Sequence, residues 1–256
     1  MSEEPRNSIQ VIERMMTLLD VLAGSPEPLG LKQLAADSGL HPSTTHRILA
    51  SMTQARFVER HDGGSYRLGI RLLELGHLVK TRINLRELAL PHMQRLHEEL
   101  GEAINLAVRR DDQIVYIERT SSGRSKVRVV YLVGDSAPLH LTSIGKLFLA
   151  DSGPEWTRGY AKRTGLPGKT EHSLTTLSAL EKDLDWVRRH QLANDLEEAE
   201  LGLRCVAAPI RDDEDILVAG LSVSAPTERH RPDWAQKVAS AADTISRALG
   251  HISGVR

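Results

Sequence analysis

The chain has 256 residues and a formal net charge of −1, so it lacks the overall positive charge of an indiscriminate polyanion binder. This length is sufficient for two modest domains, each with its own core. The single cysteine, Cys205, excludes an internal disulfide and any metal site built from several cysteines. We see no secretory signal and no apolar run long enough to span a bilayer, so we expect a cytoplasmic protein.

Two helices are predicted at the start of the chain. The first begins near Asn7 and Ser8, which are favourable N-cap residues. Its apolar side chains recur at helical spacing over residues 12–22. The second starts at Leu31 and stops at the Ser-Gly pair of residues 38–39. We expect both to pack with the next helix in one small core.

The third helix begins at Pro42, because a proline at this position loses no hydrogen bond in a first turn. One narrow arc of the helix faces the core and carries Thr45, Ile48, Leu49 and Met52. The opposite face carries short hydrogen-bond donors and a guanidinium, which is what a recognition helix presents to the major groove. The predicted DNA-binding residues of this face are Ser43, Thr44, His46 and Arg47.

A short hairpin follows the third helix. Its strands, residues 57–60 and 66–68, flank an Asp-Gly-Gly turn and form a wing beside the helix. Arg60 and Arg67 on these strands complete the predicted DNA-binding set and give a local basic patch on a neutral chain. The alternative is a small helical core element with an ordinary solvated face.

An apolar helix is predicted at residues 70–79. It has more hydrophobic surface than one small domain can cover, so we expect it to pack on a partner subunit or on the second domain. A two-fold dimer would place two recognition helices roughly 34 Å apart on the DNA. The next helix, residues 85–100, contains Pro91, which we expect to break or bend it.

From residue 101 onward, strands and helices interleave. Strands are predicted at residues 103–109, 113–119, 127–133, 205–211 and 216–224, and helices at 143–150, 155–164, 176–191 and 232–249. Strands joined by hairpins indicate an antiparallel sheet with helices on its faces, which makes the fold class α+β.

Five sequence blocks resemble the IclR family of transcriptional regulators. STTHRIL at 43–49 and YRLG at 66–69 are similar to that family's winged helix-turn-helix. PLHLTSIGKLFLA at 138–150, ELGLRCVAAPI at 200–210 and VAGLSVSAP at 218–226 resemble its hallmark segments, in order and spacing.

The resemblance implies a winged helix-turn-helix domain at residues 1–69, a linker helix at 70–84 and a GAF-like effector-binding domain at 85–256. It also implies a homodimer, paired into a tetramer, on a double-stranded DNA operator. The implied effector is a small molecule, most often an organic or aromatic acid, and neither a cofactor nor a metal is expected. The family pattern has small residues before the Gly-Lys pair, whereas here Ser143 is followed by Ile144.

Several residues of the second half are predicted to bind the effector. Ser222 and Ser224 alternate on a strand, so their hydroxyls face the same side. They either bind a ligand carboxylate or hydrogen-bond to one another or to the backbone. Ser143, Ile144 and Gly145 begin a predicted helix, whose N–H groups favour an anion.

Three further residues have two interpretations each. The resemblance places Asp195 where the family has a ligand-contacting polar group, whereas the sequence alone makes it an exposed loop acid. Cys205 is either an inert buried thiol or a wall of the pocket. Lys146 either adds charge to the pocket or lies on the surface.

The sequence therefore predicts a DNA-binding regulator that senses a metabolite, with no enzymatic activity. One alternative is a small-molecule hydrolase, because GLSVS at 220–224 approaches a nucleophile elbow but lacks its second glycine. The other is a DNA-bound scaffold without an effector.

Overall fold

The chain divides into two compact units, Met1–Ile83 and Asn84–Arg256. The structure, a computed structural model, describes residues 10–120 and 132–252. The predicted cap residues Asn7 and Ser8 lie outside this described part. Each unit has a hydrophobic core of its own.

The described part of the first unit is a winged helix-turn-helix, as predicted. Its helices are α1 (Gln10–Ala23), α2 (Leu31–Asp37), α3 (Pro42–Gln54) and α4 (Ile70–Lys80). Its strands are β1 (Leu29–Gly30), β2 (Val58–Arg60) and β3 (Ser65–Leu68). β3 lies between the other two strands and pairs antiparallel with both.

The core of the first unit forms where α1, α2 and α3 meet the wing. Leu18, Leu34 and Leu49 are fully buried, and Tyr66 of the wing packs among them. Ile12, at the start of the predicted apolar face of α1, is 50% exposed instead.

The second unit contains one antiparallel sheet in the order β6-β5-β4-β9-β8-β7. Its strands are β4 (Ala103–Arg110), β5 (Gln113–Thr120), β6 (Ser136–Pro138), β7 (Ala193–Leu196), β8 (Leu203–Arg211) and β9 (Leu217–Pro226). Its helices are α5 (Leu85–Leu100), α6 (Ser143–Thr164), α7 (Leu177–His190) and α8 (Trp234–Ala248). α5 and α8 pack on one face, and α6 and α7 pack on the other. This confirms the predicted antiparallel sheet flanked by helices.

Several elements differ from their prediction. Pro91 does not break α5, which continues through it. By contrast, the helices predicted at 143–150 and 155–164 are both present, on either side of a kink at Gly153 within α6. The strand predicted at 127–133 lies largely outside the described residues, and its last two residues, 132–133, are not in a strand. β6 and β7 were not predicted.

Candidate functional site

The exposed face of α3 carries the predicted DNA-contacting side chains. Because the apolar arc of the helix is buried as predicted, Ser43, His46 and Arg47 are left exposed and Thr44 is half-buried. Within the described part of the chain, Arg47 forms no ion pair. Its guanidinium can therefore meet a phosphate or a guanine edge without first giving up a carboxylate.

His41, which the sequence analysis did not include, caps α3. Its Nδ1 accepts the N–H of Ser43 at 3.3 Å and lies 2.8 Å from the Ser43 hydroxyl oxygen. The imidazole thus holds Ser43 at the start of the helix. The signal was available, because the residue before a helix-starting proline occupies the N-cap position.

Both predicted wing arginines are exposed, but their surroundings differ. Arg67 donates to one Glu59 carboxylate oxygen from Nε at 3.1 Å and from Nη2 at 2.9 Å. The hydrogen bond from Arg67 lowers the pKa of the Glu59 carboxyl, so this carboxylate stays charged. An exposed pair of this kind adds little stability, and a DNA phosphate could displace Glu59. Arg60, on β2, forms no ion pair with a described residue.

In the second unit, the predicted effector residues of three strands meet on the sheet face that α6 covers. Asp195 of β7 lies opposite Cys205 of β8, and Cys205 lies opposite Ser224 of β9. Of the two interpretations of Asp195, the exposed loop acid is wrong. Its side chain is only 2% exposed, because β7 pairs with β8 and aligns Asp195 with Cys205.

Asn105 of β4 connects the two serines. Its Nδ2 donates to Ser224 Oγ at 2.9 Å and to Ser222 Oγ at 3.4 Å. A serine oxygen that accepts a hydrogen bond keeps its own O–H as a donor, so the pair can still bind a ligand oxygen. The sequence analysis missed Asn105, although a single polar residue within the apolar run of β4 was a usable signal.

Cys205 is a buried thiol beside this pair. Its Sγ lies 3.1 Å from the Ser224 hydroxyl oxygen. Burial raises the pKa of the Cys205 thiol, with the nearby charge of Asp195 acting in the same direction. The thiol therefore stays protonated and unreactive, and it contributes shape and a weak hydrogen bond.

The start of α6 packs directly on the sheet. Thr142 Oγ1 accepts the N–H of Gly145 at 3.1 Å, while the N–H groups of Ser143 and Ile144 donate to no described residue. The Ile144 side chain is buried against Gly220, where an added Cβ would lie 2.6 Å from its Cγ2. The isoleucine that departs from the family pattern is thus accommodated by a glycine on β9.

Lys146 is fully buried in an internal ion-pair cluster. Its Nζ lies 2.8 and 3.0 Å from the two carboxylate oxygens of Glu198 and 3.0 Å from Asp183 of α7. Burial alone would lower the pKa of the Lys146 ammonium, but the charges of Glu198 and Asp183 outweigh burial and raise it. Lys146 is therefore neither on the surface nor available to pair with a ligand.

Asp195 stands next to this cluster. Its Oδ1 accepts the N–H of Glu198 at 2.8 Å and that of Ala199 at 3.4 Å. Burial, reinforced by the charge of Glu198, raises the pKa of Asp195 to about 7. Near neutral pH its side chain is thus partly a neutral acid, which can donate a hydrogen bond as well as accept one.

The described residues also show which other kinds of site they do not form. Among them no group of three or more histidine, cysteine and acidic side chains could hold a metal ion. None of the helices in the described ranges is long and apolar enough to cross a membrane. A cavity of about 410 Å³ lies between α5 and α8, and none of the predicted effector residues lines it.

A winged helix-turn-helix followed by a separate α+β unit with a polar sheet face defines a class of DNA-binding regulators. Residues 77–250 match the C-terminal domain of the bacterial transcriptional regulator IclR, and residues 11–62 match the IclR helix-turn-helix domain. The chain belongs to the IclR family of bacterial transcriptional regulators.

Individual relatives agree with this assignment. The transcriptional repressor IclR of Escherichia coli (strain K12) is 32% identical, over 94% of this chain and 90% of its own. The crystal structure of the repressor BlcR of Agobacterium tumefaciens matches with a TM-score of 0.87 at 25% identity, over 96% of this chain and 99% of its own. An IclR homologue from Microbacterium hydrocarbonoxydans, complexed with 4-hydroxybenzoate, matches with a TM-score of 0.61 at 27% identity, over 94% and 99% of the two chains.

The family consists of DNA-binding transcriptional regulators rather than enzymes, so the hydrolase interpretation is set aside. The sequence GLSVS, which prompted it, lies inside β9 and not at a strand-to-helix turn.

Proposed function

We propose that the chain is a sequence-specific DNA-binding regulator whose second unit senses a small organic or aromatic carboxylate. The observation that carries the proposal is the polar row on the sheet face beneath α6. There, Asp195, Cys205, Ser222 and Ser224 come together from three strands in an otherwise apolar core, with Asn105 beside them.

The polar row supplies mainly hydrogen-bond donors. The hydroxyls of Ser222 and Ser224 and the backbone N–H groups of Ser143 and Ile144 suit a ligand carboxylate. Asp195 suits a hydroxyl or a carbonyl of the same ligand, because its neutral form can donate and its charged form can accept. The 4-hydroxybenzoate bound by the Microbacterium homologue carries both kinds of group.

The DNA half of the proposal rests on α3 and the wing. Ser43, Thr44, His46 and Arg47 would read or position the operator through the major groove, and Arg60 and Arg67 would hold the backbone beside it. A dimer would place two recognition helices at a fixed spacing on two half-sites of the operator.

The apolar helix α4, within the predicted linker of residues 70–84, would supply that dimer contact. None of its residues is buried, and Leu73 and Val79 are 69% and 61% exposed. Exposed leucine and valine at this density favour a protein partner. We propose that α4 packs against a second copy of the chain, and that dimers pair into tetramers on DNA.

The effector proposal is tested by calorimetry on the full-length protein. A thermal-shift screen of organic acids, including 4-hydroxybenzoate, selects the ligand. The double variant Ser222→Ala/Ser224→Ala should then raise its dissociation constant at least about tenfold, because each lost hydrogen bond to a charged group costs about 1.5–3 kcal/mol.

The matched control is Ser178→Ala, at an exposed position of α7, which should bind the acid like the wild type. Both variants should bind DNA normally without ligand. Equal affinity of the double variant and the wild type would show that the serines only hold Asn105, and that the ligand binds elsewhere.

A further inference from the structure

The pairing of β4 with β5 contains a bulge. Leu106 lies opposite Glu118, but the next residue, Ala107, lies opposite Tyr116. Ile117 is therefore an extra residue on β5 without a partner of its own. Such a bulge reverses the alternation of side chains beyond it and can redirect a side chain to the other face.

The bulge determines which face each neighbouring side chain occupies. Tyr116 belongs to the core beneath α6. Strict alternation from Tyr116 would place Glu118 on the same face and Arg119 on the other. With Ile117 inserted, Glu118 instead meets Arg86 of α5 on the far face, its carboxylate 2.7 Å from Arg86 Nε. Arg119 is consequently turned onto the α6 face.

Arg119 stands in line with the residues of the proposed effector site. It lies directly opposite Asn105, whose amide donates to both Ser222 and Ser224. Its Nε is buried, and because paired residues of neighbouring strands share a face, its side chain lies on the same face as Asn105.

A guanidinium at this position suits a carboxylate. Burial lowers the pKa of Arg119, as expected for a cation partly removed from water. Lys146, a second buried cation of this unit, is already neutralised by Glu198 and Asp183. Lys146 is therefore not the group that pairs with a ligand carboxylate.

We propose that Arg119, turned inward by the bulge at Ile117, binds the carboxylate of the effector and makes the site selective for acids over their neutral analogues. The inference rests on the proposed effector function and extends it. The planar guanidinium can donate two parallel hydrogen bonds to one carboxylate. Asn105, Ser222 and Ser224 would surround the same group, and Asp195 would contact the other end of the ligand.

The test compares acids with their amides by calorimetry on the full-length protein. The probe pairs are 4-hydroxybenzoate and 4-hydroxybenzamide, benzoate and benzamide, and butyrate and butyramide. The wild type should prefer at least one acid over its amide by about tenfold or more. Arg119→Gln should lose about tenfold or more in affinity for that acid while binding the amide nearly unchanged, since only the charged hydrogen bond is removed.

Two further variants sharpen the comparison. Arg119→Lys should restore part of the acid preference, because it returns the charge without the planar fork. Arg110→Gln, on the same hairpin but exposed, should behave like the wild type. If Arg119→Gln does not fold, Arg119→Met replaces it, because methionine keeps the apolar stem of the side chain.

The outcomes separate the two proposals. A folded Arg119→Gln or Arg119→Met that keeps the wild-type acid preference overturns the role of Arg119 and leaves the effector proposal standing. A wild type that binds an amide as tightly as its acid also overturns the role of Arg119. A wild type that binds no probe of either kind overturns both.

Discussion

Arg47 and Arg67 are both exposed arginines of the DNA-binding unit, yet only Arg67 is engaged by a carboxylate of the described chain. Arg47→Ala should therefore weaken operator binding directly. If Arg47 reads a guanine, the loss should be about 1–3 kcal/mol and should depend on the operator sequence. If Arg47 holds a phosphate, binding should fall evenly across sequences and the salt dependence should become shallower.

Fluorescence anisotropy with operator and scrambled DNA, over a range of salt concentrations, distinguishes these cases. Arg158→Ala, at an exposed position of α6 in the second unit, is the matched control and should bind DNA like the wild type. Unchanged operator binding by folded Arg47→Ala would contradict the assignment of α3 as the recognition helix.

Asp195 gives a residue-level prediction about pH. Above the ordinary carboxyl pKa of 3.8 the unfolded chain loses this proton, whereas the folded protein keeps it up to about pH 7. The folded state thus binds more protons in this window, so Asp195 makes the protein less stable as the pH rises from about 4 to about 7. Above the folded pKa this contribution levels off.

Asp195→Asn cannot ionise, so its unfolding free energy relative to the wild type should increase across this window, by about 4 kcal/mol at most. Urea unfolding at a series of pH values measures the difference. Glu155→Gln, which removes an exposed carboxyl of α6, should show the same dependence of the unfolding free energy on pH as the wild type. If the unfolding free energy of Asp195→Asn also follows that of the wild type at every pH, then Asp195 ionises in the folded protein as it does in the unfolded chain.

At the scale of elements, Lys146 joins α6 to α7 and to the segment that follows β7. Lys146→Met should lower the unfolding free energy by about 3–5 kcal/mol, because it leaves the buried Glu198 carboxylate unpaired. Adding Glu198→Gln should recover part of this loss by removing that charge.

Urea unfolding measures both variants against Lys162→Met, an exposed lysine of the same helix that should change little. A Lys146→Met protein as stable as the wild type would show that Glu198 takes up a proton at little cost.

The sequence predicted some elements well because their signals are local. Pro42 and the apolar arc behind it define α3 without reference to the rest of the chain. β7 has no such signal, because Ala193–Leu196 contains an asparagine and an aspartate and is held in place by pairing with β8. The placement of Asp195 in a loop followed from that missing strand.

The residues of the candidate site were likewise predictable only where their signals are local. Ser222 and Ser224 share a face by simple alternation, and the structure brings Asp195 and Cys205 to them. Arg119 was missed because alternation counted from Tyr116 puts it on the wrong face, and the bulge is specified by pairing with β4. Long-range pairing of this kind is not visible in the residues of β5 alone.

At the scale of the whole molecule, the exposed face of α4 predicts self-association. Leu73→Glu should convert the proposed dimer to monomers, because a charge would be buried in the interface. Operator affinity should fall with it, since one recognition helix contacts only one half-site.

Sedimentation gives the mass, and Lys32→Glu on α2 controls for the added negative charge. A Leu73→Glu protein with wild-type mass and wild-type operator affinity would exclude α4 as the interface.

The extra residue at Ile117 also affects how the family diverges. Straightening the bulge without changing the length of β5 would pair Ile117 with Leu106 and Glu118 with Asn105. The two faces beyond the bulge would then be exchanged, taking the guanidinium of Arg119 out of the core beneath α6 and bringing the carboxylate of Glu118 in. A shift of one residue in strand pairing would thereby reverse the charge presented to a metabolite. Between relatives, then, the register of β5 against β4 should be a better guide to acidic or basic inducers than the overall percentage identity.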